Sequence, residues 1–95
     1  MFWIPRVNVI QSDEGFSVEV LGRVGLRYEE GGKTLCVDSE VLVAGPYAMV
    51  VWPARITHWE SPNDDEHIDV ATRERIVERI RAAFRFTGHE IEVAD

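Results

Sequence analysis

The residues able to do covalent or metal chemistry are few, and their spacing is poor for it. The histidines are His58, His67 and His89, and the one cysteine is Cys36. Histidine ligands on a helix recur four residues apart, and zinc sites often add paired cysteines. Neither pattern is present. His67 with Asp64 and Asp69 comes nearest to a ligand set, but a run of like charges usually reads as a solvated or interacting surface. The calcium-loop pattern is absent. Cys36 falls mid-strand between Leu35 and Val37, away from the helix N-terminus or cationic cluster that activates a thiol. Arg27 opposite it is the one candidate activator, and the residue reads better as a small, half-buried strand position. No Gly-x-Ser-x-Gly elbow and no glycine-rich phosphate loop occurs. No carboxylate pair sits in an apolar setting that would shift its pKa. The chain is therefore read as non-enzymatic, with no cofactor.

Charge narrows the partners. Ten Lys and Arg stand against 17 Asp and Glu, a net charge of −7. Phosphate neutralisation needs the opposite surplus, and an anionic membrane surface would repel such a chain. One basic feature runs against the average: Arg73, Arg75, Arg79, Arg81 and Arg85 share one predicted helix. They read as its solvated face. The acidic feature is denser. Between Arg55 and Arg73 there is no Lys or Arg, while Glu60, Asp64, Asp65, Glu66 and Asp69 all fall there. Trp59 lies within this stretch. Tryptophan is enriched at interface hot spots, and acidic rims steer basic partners. Trp59 is equally suited to anchoring the loop from the core. Asp38 and Glu40 form a second candidate surface, since alternate residues of a strand share a face.

The elements that must position these groups are short. Val7–Gln11 and Phe16–Val20 read as strands around the turn residues 12–15. Residues 25–30 and 33–39 flank Gly31-Gly32, a two-residue loop suited to a primed turn. That loop sets Glu30 against Lys33, Tyr28 against Leu35, Arg27 against Cys36 and Leu26 against Val37, and a one-residue slip breaks all four matches. Strands over 40–44 and 47–52 follow, the second apolar enough to want cover on both faces. Asp69 caps a helix over 70–86, whose apolar stripe is Ile76, Val77, Ile80, Ala83 and Phe84. Gly88 ends it. Ile91 and Val93 alternate with Glu90 and Glu92 in a last strand.

These elements predict one α+β domain over residues 1–95: an antiparallel meander sheet of five or six strands, one helix packed on it and a final returning strand. Five strands span about 20 Å and a helix about 10–12 Å, so one helix leaves sheet uncovered. Either the sheet curls or another chain supplies the cover, and a homodimer or a partner protein is expected. The N-terminus lacks a secretory pattern, no apolar run reaches about 18 residues, and a single cysteine suits a reducing compartment. The expected location is the cytoplasm.

From Gly25 to Val93 the chain also resembles the bacterial immunity protein 74 family of polymorphic toxin systems. The matching pieces are Tyr28 with Glu30, then Val37-Asp38-Ser39-Glu40 with Leu42. Ile56 and Trp59 with Pro62 follow, then Ile76, Ile80, Ala83-Phe84 and Phe86, and finally Gly88 with Ile91-Glu92. The residues before Val24 carry no match. The resemblance implies a small α+β protein that binds and neutralises a cognate toxin, and it brings no catalytic motif. Trp59, Glu60, Asp64, Asp65 and Glu66, with Asp38 and Glu40, are then the expected toxin-binding residues. The alternatives are a small metal-dependent or ligand-binding module built on His58, His67 and the acidic loop, a DNA-contacting antitoxin-like regulator using the arginine face, and a self-associating subunit.

Overall fold

The computed structural model describes residues 1–22, 25–43 and 45–94. Strands β1 (Phe2–Arg6), β2 (Val9–Ser12), β3 (Phe16–Val20), β4 (Leu26–Glu30) and β5 (Lys33–Val37) form an antiparallel meander in chain order. A second sheet holds β6 (Ser39–Val41), β7 (Met49–Val51) and β8 (Ile91–Val93), with β7 central. One α-helix, α1 (Val70–Phe86), precedes β8. The α+β class, the meander, the helix and the final strand are as the sequence predicts.

The β4–β5 register is also the one expected, with Leu26 opposite Val37 and Glu30 opposite Lys33. Gly31 and Gly32 both take positive φ, which a type I′ turn requires and which glycine adopts without steric cost. The tip charges do not pair with each other, however. Lys33 reaches Glu66 at 2.5 Å, and Glu30 is held by Arg75 and Arg79 of the helix.

The N-terminal strand differs from expectation. Val7 and Asn8 are a tight turn, so the strand expected over Val7–Gln11 begins at Val9, and β1 lies before it. Asn8 has φ 66°, a left-handed value that asparagine tolerates. Pro5 sits in β1, an edge strand, where a missing donor costs no ladder bond. The single sheet is also divided. After Val37 the chain leaves β4 at Asp38, and β6 pairs with β7 instead. Gly25 borders this break: a Cβ there would lie 2.9 Å from the Val37 carbonyl oxygen. The strand from Glu40 ends at Val41, and Ala44, its expected end, lies outside the described residues. The final strand pairs parallel to β7, because the α1 segment is a crossover long enough to bring the chain back in the same direction.

Helix α1 has the expected bounds. The Asp69 carboxylate accepts the Thr72 amide at 2.8 Å, and this N-cap bond holds the Asp69 pKa below the ordinary carboxylate range. At the other end, the Gly88 amide donates to the Arg85 carbonyl and the His89 amide to the Phe84 carbonyl, closing the last turn as a Schellman motif. Ile76, Val77, Ile80, Ala83 and Phe84 are its buried residues.

One helix does not cover the core by itself. Ile56, Trp59 and Ile68, from the connection before α1, join the same buried cluster as Leu26, Tyr28, Leu35, Met49, Val51 and Ile91. The segment expected to be a solvated loop thus supplies part of the missing cover. Tyr28 is at the centre, fully buried, between the rings of Phe16 and Trp59 at 6.0 and 6.4 Å. Its hydroxyl donates to Glu30 at 2.6 Å. Burial, then the hydrogen bond to Glu30, push the Tyr28 pKa upward. Glu30 is itself raised by burial, but the Tyr28 hydroxyl and the Arg75 and Arg79 guanidiniums outweigh this and hold it below the ordinary range. A buried polar group costs free energy unless satisfied, and this network satisfies both.

Candidate functional site: two acidic surfaces

The first acidic surface is the connection over residues 58–67. Its ends meet in an isolated antiparallel bridge between His58 and His67, whose rings lie 5.2 Å apart. Trp59 is 4% exposed, so it faces the core and the aromatic stack. Its indole is an internal anchor for the loop, and contact with a partner is not open to it in this packing. The Glu60 amide donates to the Thr34 carbonyl at 2.8 Å, which covers part of the free edge of β5. The Glu60 carboxylate accepts from Thr34 Oγ1 at 3.0 Å and Cys36 Sγ at 3.1 Å, and pairs with Arg27 at 3.2 Å. These bonds, the thiol's first, hold the Glu60 pKa below the ordinary range. They push the Cys36 thiol the other way, since losing its proton would place a thiolate against a carboxylate. Cys36 is exposed, not half-buried as expected, and its partner stabilises the protonated, unreactive form. Glu66 is paired with Lys33. Asp64 and Asp65 are exposed and have no hydrogen-bonded or ion-paired partner among the described residues. Of the four carboxylates expected to act together here, two secure the loop and two are free.

The second surface is the outer face of the β6–β7–β8 sheet, opposite the core. Val50 of β7 is registered with Glu40 on one side and Glu92 on the other. Paired residues of adjacent strands point to the same face, so two carboxylates flank one apolar residue. Val50 is buried, yet stands outside the main core cluster. The Trp52 amide bonds to the Asp38 carbonyl at 3.4 Å and extends the ladder by one pair. Asp38 and Trp52 therefore lie on this face too. Arg55, from the 3-10 turn Pro53–Arg55, stacks on Trp52 at 4.9 Å and meets Asp38 Oδ2 at 3.3 Å. Glu40 and Glu92 have no ion-paired partner among the described residues. Beside β6 a cleft of about 780 Å³ opens, lined by Asp38, Ser39, Glu40, Val41, Trp52 and Arg55, with Val43.

The sequence places Asp38 and Glu40 correctly on one face. It misses Glu92 and Trp52. Alternation over residues 90–93 marks Glu92 as solvent-facing, but only the parallel β7–β8 pairing carries it to Glu40.

The arginines of α1 are largely engaged. Arg75 and Arg79 hold Glu30, Arg81 pairs with Glu78, and Arg85 pairs with Glu90 at 2.9 Å. Among the described residues, no group of three or more His, Cys, Asp or Glu side chains is arranged to hold a metal ion. No helix is long and apolar enough to cross a membrane.

Comparison with family models matches residues 17–94 to Immunity protein 74. The chain belongs to the Immunity protein 74 family. The matched region begins in β3 and reaches past β8, so it takes in both acidic surfaces, while β1 and β2 lie outside it. No curated protein and no solved structure matches the chain.

Proposed function

We propose that this member of the Immunity protein 74 family neutralises a cognate toxin domain by binding it through an acidic surface, acting in the cytoplasm and without catalysis. The contact surface is the outer face of the second sheet, with Asp64 and Asp65 as an outlying rim. The free carboxylates Glu40 and Glu92 on one face, beside the part-exposed indole of Trp52, carry this reading. An apolar centre ringed by charge is the usual anatomy of a protein interface. Carboxylates without internal partners retain their field for a basic partner and speed its approach. Glu60 and Glu66 are already neutralised within the chain and contribute less. Trp59 holds the loop from within.

A protein partner also fits better than nucleic acid, because four of the five helix arginines already have carboxylate partners. The test is association with the toxin domain encoded beside this chain. Glu40→Gln with Glu92→Gln should slow association about tenfold at low salt, with the effect fading as salt screens the field. Unchanged association and unchanged protection of cells would overturn the assignment.

A further inference from the structure

We propose that the cleft beside β6 is a socket for one cationic side chain of the partner, an arginine above all, presented by an extended segment. This rests on the toxin-binding reading and names the group that the surface recognises. The cleft has the three parts that arginine recognition uses. Trp52 supplies an aromatic face, Asp38 and Glu40 supply carboxylates, and Val41 and Val43, 42% and 99% exposed, supply apolar contact for the methylene stem. Arg55 demonstrates the chemistry from within the chain. Its guanidinium rests on Trp52 and bonds to Asp38. It offsets only one of the two charges, so the cleft remains net negative and Glu40 is unspent.

Ser39 contributes no side-chain contact: it is registered with the buried Val51, and its hydroxyl lies on the core side near Gly25. A second copy of this chain is a poor occupant, because a symmetric contact would bring two Asp38–Glu40 pairs together against two Arg55.

Arg55 competes for Trp52 and Asp38, and its removal is therefore the informative change. The probe is the peptide acetyl-Gly-Arg-Gly-amide, titrated into the full chain while backbone amide and indole NMR shifts are followed. Its citrulline counterpart, of equal shape but neutral, serves as the control. Shifts should gather at residues 38–41 and the Trp52 indole, and citrulline should produce none. Arg55→Ala should tighten peptide binding several-fold, and Asp38→Asn with Glu40→Gln should weaken it about tenfold. Equal response to citrulline, shifts spread evenly to Asp64 and Asp65, weaker binding in Arg55→Ala, or a dimer that occupies residues 38–41 would each overturn the proposal. Toxin association separates the two levels. Loss of association on neutralising Asp64 and Asp65 but not Asp38 and Glu40 rejects the socket and leaves an acidic interface standing. No loss from either pair rejects both.

Discussion

The 58–67 connection is dense in acid, yet only Asp64 and Asp65 of its four carboxylates are free among the described residues, whereas the β6 face offers as many, Glu40 and Glu92, from two separate strands. The seven residues from Glu60 to Glu66 include Glu60, Asp64, Asp65 and Glu66, yet Glu60 and Glu66 are tied to Arg27 and Lys33. The β6 face draws its carboxylates from Asp38 and Glu40 and, from far along the chain, Glu92, and β7 assembles them around Val50. Local charge density thus measures how a loop is fastened as often as it measures what a surface offers. The difference lies in neighbours: a loop laid over a sheet edge brings cations to Glu60 and Glu66, while on the β6 face Arg55 engages Asp38 and leaves Glu40 and Glu92 free among the described residues.

Trp59→Ala gives the largest effect and tests the fastening role. Removing a buried indole from the Tyr28 stack should cost about 3–5 kcal/mol by denaturant unfolding. If Trp59 were a surface anchor, stability would hold and only toxin affinity would fall.

Glu30→Ala comes next, at about 2 kcal/mol, since it strands Arg75, Arg79 and the Tyr28 hydroxyl. It also carries a pH signature. The folded-state pKa of Glu30 is lowered, so its contribution is fully present above the unfolded value near 4.3 and is lost as pH falls through the folded value. The acid limb of the wild-type stability curve should be steeper than that of the variant.

Asp64→Asn with Asp65→Asn sharpens the comparison at lower magnitude. As outlying rim charges, they should slow toxin association by about twofold to threefold and leave dissociation unchanged. The smallest effect concerns Glu60→Gln. Loss of the carboxylate that raises the Cys36 pKa should increase thiol alkylation at neutral pH a few-fold, read by mass spectrometry.

Much of this was legible in the residues themselves. The Gly31-Gly32 turn fixes the β4–β5 register, and the Asp69 cap with the Ile76–Phe84 stripe fixes the helix, because each depends on neighbours close in sequence. Asp38 and Glu40 were legible as one face for the same reason. What escaped depends on distant pairing. The break after Val37 reflects competition between β4 and β7 for the same chain. The parallel return of β8 depends on where α1 docks. The covering role of the connection rests on Ile56, Trp59 and Ile68, three apolar residues with no regular period among polar ones. Phe2–Arg6 escaped because Pro5 argues against a strand, and only an edge position makes it permissible.

The most direct test of the acidic face measures toxin association rates, by stopped-flow at low and high salt, for Glu40→Gln with Glu92→Gln beside Glu60→Gln with Glu66→Gln. About a tenfold loss at low salt is expected for the first pair and little change for the second. An equal loss in both pairs, or a larger loss in the second, would contradict the acidic-face assignment.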